Sequence, residues 1–275
     1  MKILILGAKG MLGTDLMQVF SDHQPTGLDL PDLDITDNLA LEKKLKELRP
    51  ELVINAAAYT KVDDCEENIE LAYNVNGRAP GYLAKYCRQI GAKLVHYSTD
   101  YVFNGQKKKG YREDDTVSPL NMYGKTKMMG EKVVFDQIDE HYILRTAWLY
   151  GQNGPNFVKT MIDLSEKQPE LKVVNDQFGS PTYTLDLAKK TKEIIEDKKI
   201  KFGTYHLTNS GTCSWYEFAI KIFEILGKDV KITPVTTEEF PRPAKRPKYS
   251  ILKNTKLEPL RSWEEALKEY LSHEK

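Results

Sequence analysis

The sequence has few cysteines, no excess of charge of either sign and no long hydrophobic run. Three cysteines in 275 residues, Cys65, Cys87 and Cys213, lie far apart, which argues against a disulfide framework and fits a reducing compartment. Lysine plus arginine equal aspartate plus glutamate at 40 each, so no global basic field attracts nucleic acid. The apolar run at 3–6 is too short for a signal peptide, and no stretch approaches the ~18 apolar residues of a membrane span. We therefore expect a cytoplasmic protein that acts without nucleic acid or a membrane.

The sequence also lacks a pattern typical of a metal site. Its five histidines have no ligand spacing, and a lone histidine beside a strand is more often structural. The acidic run at 63–67 is better explained as the start of a helix, where carboxylates interact favourably with the helix dipole. We therefore predict no metal ligands.

The first 20 residues join an apolar strand pattern at 2–6 to a helical pattern at 15–20 through three glycines. Gly7, Gly10 and Gly13 occupy the first, fourth and seventh positions of this turn. Without side chains there, the backbone can approach a pyrophosphate, whose negative charge faces the helix N-terminus. A glycine-rich turn in any α/β protein is the alternative, but the strand before and the helix after favour a dinucleotide site.

Acidic residues follow the second predicted strand. Asp29 lies where a carboxylate commonly accepts hydrogen bonds from the adenosine ribose, and it would repel a 2′-phosphate. No neighbouring arginine decides between NADPH and NADH. Asp34 and Ile35 come next and could lie beside the adenine, although turn or helix-cap chemistry explains Asp34 equally well. The small residues that end the next apolar segment, at 52–58, leave room for a cofactor across the strand end.

Strand and helix patterns alternate as far as the apolar segment at 142–148. This alternation predicts an α/β fold with a doubly wound, Rossmann-like parallel sheet, whose sites lie at the carboxyl ends of the strands. We expect one long helical segment from about Glu66 to Ile90, in which Asn76 either packs or holds a water. After residue 150 the pattern becomes shorter and more polar. We therefore predict a dinucleotide-binding domain at 1–150 and a smaller, partly interleaved α/β substrate-binding domain at 151–275.

A tyrosine and a lysine four residues apart share one face of a helix, and Tyr123 and Lys127 have this spacing. Chance alone produces such pairs, since two of the 15 tyrosines have one, the other being Tyr249 with Lys253. Position favours the first pair, because it follows the Ser-Thr end of a strand, and Tyr249 lies in a proline-rich segment. The ammonium, the phenol and the hydroxyl of Thr99 would then form a proton donor for a carbonyl, with the hydride supplied by a cofactor.

A basic cluster separated by prolines follows late in the chain, at 242–248. It is too small to bind nucleic acid. As a rigid loop it suits a diphosphate, which would be bound by Lys245 and Arg246, although a solvated loop explains it nearly as well.

These motifs together resemble a known family over essentially the whole chain. The glycine turn, the Asn-Ala-Ala-Ala run at 55–58, and the segments 98–103 and 123–127 resemble extended short-chain dehydrogenases/reductases. The segments 145–148, 156–161, 175–182 and 244–247 more specifically resemble the dTDP-4-dehydrorhamnose reductases. This resemblance implies NADPH- or NADH-dependent reduction of the 4-keto group of dTDP-4-dehydro-L-rhamnose, for surface polysaccharide precursors.

The resemblance also implies roles for individual residues. Those expected to be catalytic are Thr99, Tyr123 and Lys127. Those expected to line the cofactor are Gly7, Gly10, Met11, Leu12, Gly13, Asp29, Asp34, Ile35, Ala58, Tyr59, Thr60, Tyr101, Tyr123 and Lys127. Those expected to contact the sugar nucleotide are Thr99, Asp100 and Trp148, with Lys245 and Arg246 from the basic loop.

Some members of the family dimerise around Mg²⁺ held by acidic residues. Here Asp15 takes the first ligand position, but Leu185 replaces the second acid and Asp186 lies one residue away. This departure puts the ion and that homodimer in doubt.

Three other functions remain open. Sugar-nucleotide 4,6-dehydratases carry glutamate after the Thr-Asp pair, where this chain has Tyr101, which disfavours elimination. A different nucleotide-sugar reductase or epimerase is the second. The third is a non-catalytic regulatory subunit of the same fold, which the intact set of Thr99, Tyr123 and Lys127 disfavours.

Overall fold

The computed structural model of the chain describes residues 1–272. Its first half contains, in chain order, β1 (Ile3–Leu6), α1 (Met11–Val19), β2 (Thr26–Leu28), α2 (Asn38–Leu48), β3 (Leu52–Asn55), α3 (Asp64–Glu67), α4 (Ile69–Ala72), a π-helical segment (Tyr73–Arg78), α5 (Ala79–Ile90), β4 (Lys93–Thr99), α6 (Met122–Gln137), β5 (His141–Thr146) and β6 (Leu149–Tyr150). Its second half contains α7 (Phe157–Ser165), β7 (Glu170–Val174), β8 (Phe178–Gly179), β9 (Thr182–Tyr183), α8 (Thr184–Glu196), β10 (Gly203–His206), β11 (Cys213–Ser214), α9 (Trp215–Leu226), β12 (Lys231–Val235) and α10 (Trp263–Ser272).

The central sheet has the order β2-β1-β3-β4-β5-β10, and every adjacent pair is parallel. All residues of β1 and β3 are buried, as expected for continuous apolar strands covered on both faces. One face packs against α1 and α8 through side chains such as Leu16 and Leu187. The other packs against α2 and α5 through side chains such as Leu41 and Leu83. The predicted doubly wound parallel sheet is confirmed.

The second half of the chain contributes to both the main sheet and a core of its own. The edge strand β10 pairs with β5, and its neighbour α8 covers the same face of the sheet as α1. A separate hydrophobic cluster joins Tyr150, Phe218 and Trp263. After residue 151 the chain therefore adds one strand, β10, to the main sheet and one helix, α8, to the face that α1 covers. The domain boundary near residue 150 stays a prediction.

The helical segment expected from about Glu66 to Ile90 is confirmed from Ile69 onward, where α4, the π-helical segment and α5 follow one another without a gap. Its start differs from the expectation. It is interrupted at Asn68, whose backbone leaves the helical region (φ −101°, ψ 53°), and it widens into the π-helical segment. In that segment the Asn76 amide points inward and hydrogen-bonds the backbone of Tyr59 twice, each at 2.9 Å. A buried amide that binds another segment explains why the regular helical pattern is lost there.

Two strands end earlier than their apolar patterns suggested. The third stops at Asn55, whose side-chain oxygen accepts a hydrogen bond from the Ala57 backbone at 3.2 Å and turns the chain out of the sheet. The fifth stops at Thr146, and Trp148 follows with a left-handed backbone (φ +49°). Both segments leave the sheet at its carboxyl edge.

A buried ion pair joins the strand β5 to the helix α6. The guanidinium of Arg145 donates to Glu131 at 2.7 and 2.9 Å, and these side chains are 7% and 8% exposed. Arg145 also donates to the backbone oxygen of Glu113 at 3.2 Å and lies over the Phe103 ring. The pair therefore connects four segments of the chain around one charge.

We expect Arg145→Met to lower the free energy of unfolding by about 3–5 kcal/mol, because it leaves the Glu131 carboxylate buried without a partner. Chemical denaturation measures this loss. The matched control is Arg88→Met on the exposed surface of α5, for which we expect a change within about 0.5 kcal/mol. Equal losses in the two variants would contradict the expectation.

Candidate active site

The glycine turn between β1 and α1 has no room for side chains. Gly7 has a left-handed backbone (φ +75°), and a Cβ there would lie 2.6 Å from the Ala57 nitrogen. A Cβ on Gly13 would lie 1.9 Å from the Gly7 oxygen. Gly10 caps α1 without a side-chain hydrogen bond, and the first turn, which starts with Met11 and Leu12, has no acidic residue. Bare backbone at an uncapped, acid-free helix N-terminus fits the pyrophosphate of a dinucleotide.

Asp29 lies directly after β2, beside the glycine turn. Its carboxylate accepts hydrogen bonds from the backbone nitrogens of Lys9 at 3.0 Å and Leu30 at 2.8 Å. The Lys9 ammonium extends to the exposed Asp32, 3.0 Å away. An anchored carboxylate suits ribose hydroxyls, and a cation beside it suits a 2′-phosphate, so the geometry leaves both coenzymes open.

The other two residues predicted beside the adenine have local partners. Asp34 is exposed and accepts hydrogen bonds from the backbone and hydroxyl of Thr36, at 2.8 and 2.7 Å. Ile35 is 7% exposed and packs in the core with Leu41 and Leu45. Turn chemistry therefore accounts for the Asp34 side chain, and the Ile35 side chain points into the core.

The segment that follows β3 is held by hydrogen bonds to the side chain of Asn76. Ala58, Tyr59 and Thr60 follow the end of this strand, and the Asn76 amide binds both the nitrogen and the oxygen of Tyr59. The Asn76 amide nitrogen also lies 3.4 Å from the hydroxyl of Thr126 in α6. Asn76 is thus a hydrogen-bonded clamp between the β3 edge and α6.

Thr99, Tyr123 and Lys127 come together at the carboxyl end of β4. Asn121 caps α6 by accepting from the Gly124 nitrogen at 2.8 Å, which places Tyr123 in the first turn. The Tyr123 ring packs edge-on against Tyr101, two residues after Thr99, with 5.6 Å between ring centroids. Lys127 is one turn further on, 2% exposed, and donates to the backbone oxygen of Tyr97 at 2.6 Å.

Burial controls the protonation of these groups. Burial raises the pKa of the Tyr123 phenol, and the neighbouring Thr99 opposes this rise, so the phenol keeps its proton. Burial lowers the pKa of the Lys127 ammonium to about 8, opposed by the carboxylate of Glu131. The pKa of Asp100, which accepts from the Thr99 hydroxyl at 2.9 Å, is raised by burial to about 6. A protonated phenol beside a threonine hydroxyl is an arrangement that can donate a proton.

Trp148 follows the carboxyl end of β5, the strand that pairs with β4 beside Thr99. Its ring stacks on Trp215 with 3.5 Å between ring centroids, and a Cβ on Gly179 would lie 2.5 Å from it. The two indoles and the missing side chain at residue 179 therefore form a fixed aromatic wall beside the end of β5.

The basic loop lies across the start of α6. Lys245 is exposed, and its backbone oxygen accepts from the Asn121 amide at 2.7 Å. Arg246 is bound through two nitrogens to the carboxylate of Asp63, which the sequence had suggested only as a helix start. Asp63 and Arg246 are 183 positions apart, so no local sequence pattern could have paired them.

The acidic residues that a Mg²⁺ site would require do not fit that ion. Asp186 is held at both oxygens by Arg261, each at 2.8 Å, and Leu185 has no donor atom. Asp15 is 5% exposed, and burial raises the pKa of its carboxyl, with Thr184 and Lys189 opposing. The absence of a metal stays a prediction.

A parallel sheet with a glycine-rich coenzyme turn, and a threonine, tyrosine and lysine grouped at its carboxyl edge, defines an extended short-chain dehydrogenase/reductase. In residues 1–272, no helix has the length and apolar character needed to cross a bilayer. The family described as RmlD substrate binding domain matches residues 1–275, and the chain belongs to this family.

Several relatives match nearly the full chain. A dTDP-4-dehydrorhamnose reductase from Streptomyces griseus is 43% identical over 97% of this chain and 91% of its own length. A crystal structure of a dTDP-4-dehydrorhamnose reductase from Clostridium acetobutylicum is 50% identical, with a TM-score of 0.95 over 99% of each chain. One from Bacillus anthracis, in complex with NADP, is 41% identical, with a TM-score of 0.96 over 99% of this chain and 100% of that one.

We expect Gly13→Ala to abolish binding of NADPH and NADH, because the added Cβ would lie 1.9 Å from the Gly7 oxygen and must displace the turn. Quenching of protein fluorescence by the reduced coenzyme measures its affinity. The control is Gly91→Asn after α5, where nothing lies within 4 Å and asparagine tolerates the left-handed backbone. Wild-type affinity in the Ala variant would show that the turn does not hold the coenzyme.

Proposed function

We propose that this chain reduces the 4-keto group of dTDP-4-dehydro-L-rhamnose with NADPH or NADH, forming dTDP-L-rhamnose for surface polysaccharide precursors. The observation that carries the proposal is the grouping of Thr99, Tyr123 and Lys127 beside the coenzyme turn. Relatives named for this reaction, one of them solved with NADP, support it.

The reduced nicotinamide, when bound, supplies the hydride for the carbonyl carbon. Tyr123 donates its proton to the carbonyl oxygen, which burial favours by keeping the phenol protonated. Lys127 holds a positive charge beneath the site, and its bond to the Tyr97 oxygen fixes where that charge lies. The Thr99 hydroxyl, which already contacts Asp100, orients the oxygen that accepts the proton.

The coenzyme would contact the residues that emerge at the same edge of the sheet. Gly7, Gly10 and Gly13 would face the pyrophosphate and Asp29 the adenosine ribose, with Asp34 and Ile35 nearer the adenine. We assign the remaining contacts to Met11, Leu12, Ala58, Tyr59, Thr60, Tyr101, Tyr123 and Lys127.

The sugar nucleotide would lie between the catalytic group and the second half of the chain. Thr99 and Asp100 would face the sugar, and Trp148 would bound it on the other side. Lys245, exposed on the basic loop, is the cation placed to meet a diphosphate.

The alternatives fit these contacts less well. A dehydratase needs an acid–base group where this chain has Tyr101, whose ring packs edge-on against Tyr123 with 5.6 Å between centroids. A non-catalytic subunit does not require the buried lysine and the capped tyrosine to share one site. Another nucleotide-sugar reductase or epimerase would use the same groups, so the sugar itself must be tested.

We also propose that the chain acts in the cytoplasm on this small substrate, without nucleic acid as a partner. A formal net charge of zero supports this, because it leaves no broad positive field for phosphate backbones. If the chain forms a homodimer, we propose that Mg²⁺ does not hold it together. Both oxygens of the Asp186 carboxylate already accept hydrogen bonds from Arg261.

We expect Tyr123→Phe to lower kcat by about 10²–10⁴-fold, because the proton donor is lost and the ring is retained. Oxidation of NADPH in the presence of dTDP-4-dehydro-L-rhamnose measures the rate. Tyr249→Phe is the matched control, since it alters the other tyrosine with lysine four residues later, and it should leave kcat unchanged. Undiminished turnover in the Tyr123 variant would overturn its role, and inactive wild type would favour the binding-protein alternative.

We expect kcat/KM to fall as pH rises through about 8, because the Lys127 ammonium loses its proton there and the reaction requires its charge. Below this pH the ammonium is charged, so Lys127 imposes no loss. Initial rates between pH 6 and 10 measure the profile. Lys127→Met should be about 10²-fold slower and lack this alkaline limb. The same limb in the Met variant would assign it to another group.

A further inference from the structure

We propose that the exposed ion pair between Lys9 and Asp32 sets the coenzyme preference of this chain. Asp32 competes with the 2′-phosphate of NADPH for the Lys9 ammonium, so it weakens binding of NADPH and leaves binding of NADH unaffected. The inference rests on the proposed function, in which the glycine turn holds a nicotinamide coenzyme and Asp29 faces its adenosine ribose. It names the two side chains that decide between the coenzymes which that function leaves open.

The segment that begins with β2 is rich in acidic residues. Between residues 26 and 37 the chain has four aspartates and neither lysine nor arginine, and Lys9 is the one cationic residue of the glycine turn at 7–13. A phosphate brought to this edge of the sheet is therefore repelled, except where the Lys9 ammonium offsets the negative charge.

Three of these four aspartates are bound to local donors. Both carboxylate oxygens of Asp29 accept hydrogen bonds from backbone nitrogens, at 3.0 and 2.8 Å. Asp34 accepts from the backbone and the hydroxyl two residues further on, and Asp37 caps the helix α2. Asp32 differs, because its partner is the side chain of Lys9. It is therefore the aspartate of this segment that controls where the cation lies.

The Lys9–Asp32 pair is built to exchange partners. The ammonium donates to one oxygen of Asp32 at 3.0 Å, and the two side chains are 64% and 50% exposed. An ion pair this exposed contributes little net free energy, because water solvates both charges when it breaks. The Lys9 backbone nitrogen is bound to Asp29, so the flexible stem of the side chain begins beside that carboxylate. The ammonium can therefore leave Asp32 for another anion while the backbone stays in place.

A 2′-phosphate is a stronger partner for this ammonium than Asp32 is. A phosphate monoester carries more negative charge than a carboxylate and has three acceptor oxygens. NADH has a hydroxyl at the same position of the ribose, and a carboxylate such as Asp29 accepts its hydrogen bond. The charge of Lys9 consequently favours NADPH alone. Asp32 reduces that advantage, because it holds the ammonium in the free protein.

The decisive experiment measures the affinities of the full chain for NADPH and NADH by calorimetry. Lys9→Met should bind NADPH about tenfold more weakly, because a charge-assisted contact is lost, and NADH as wild type does. Asp32→Asn should have the opposite effect and bind NADPH about threefold more tightly, because its neutral amide releases the ammonium. The affinity for NADH should again stay unchanged.

The matched control is Lys46→Met. Lys46 lies in the last turn of α2, is 61% exposed and donates to Glu42 at 2.6 Å, so it belongs to a surface pair of the same kind. Its replacement should change neither affinity. Lys9→Arg, which keeps the positive charge, should keep the affinity for NADPH.

The double variant tests whether Asp32 acts through Lys9. In the Lys9→Met background, Asp32→Asn should raise the NADPH affinity by less than it does in the wild-type background, because no ammonium is left to release. An equal gain in the two backgrounds would overturn the proposal, since Asp32 would then act on the phosphate directly. An unchanged NADPH affinity in Lys9→Met, or equal losses for both coenzymes, would also overturn it.

Binding of adenosine 2′,5′-bisphosphate separates this inference from the proposed function, because it requires neither hydride transfer nor a sugar nucleotide. Its affinity should fall in Lys9→Met and rise in Asp32→Asn, whereas that of adenosine 5′-monophosphate should not change. If this pattern is found and wild type reduces no 4-keto sugar, the proposed function fails and the inference stands. If wild type reduces the sugar and the variants bind both probes alike, the inference fails. If wild type binds neither coenzyme, both fail.

Discussion

The structure depends on the close contact between the start of α6 and the turn that follows β4. A Cβ on Gly124 would lie 2.1 Å from the Tyr101 oxygen, so only glycine allows the helix to approach this far. That approach packs the Tyr123 ring against Tyr101, two residues after Thr99, and buries Lys127 at the same edge. Because parallel strands present their carboxyl ends together, the glycine turn after β1 lies at this edge too.

Buried polar groups then hold the segments around this contact. Asn76 hydrogen-bonds the segment that follows β3. The Arg145–Glu131 ion pair joins α6 to β5. Each of these groups would be costly to bury alone, and each is paired within the described part of the chain. Glu131 has a second effect, since its charge opposes the loss of the Lys127 proton. Stability and the protonation state of the site therefore share a residue.

The C-terminal half contributes to the main sheet as well as to its own core. It supplies the edge strand β10 to the main sheet, the Trp215 ring that stacks on Trp148, and the loop whose Arg246 binds Asp63. Considered alone, a cationic side chain on a basic loop is expected to bind an anionic ligand. Its partner in the folded chain is a carboxylate, and this changes the chemistry available to it.

The sequence alone determined the parallel α/β fold, the glycine turn and the set of Thr99, Tyr123 and Lys127, because these depend on local spacing and hydrophobic period. It could not determine the hydrogen bonds of Asn76, in the π-helical segment, to Tyr59, or the pairing of Arg246 with Asp63. Those depend on contacts between residues 17 to 183 positions apart, which local patterns do not encode. Only the tertiary structure decided which polar side chains face the cleft and which are already bound to one another.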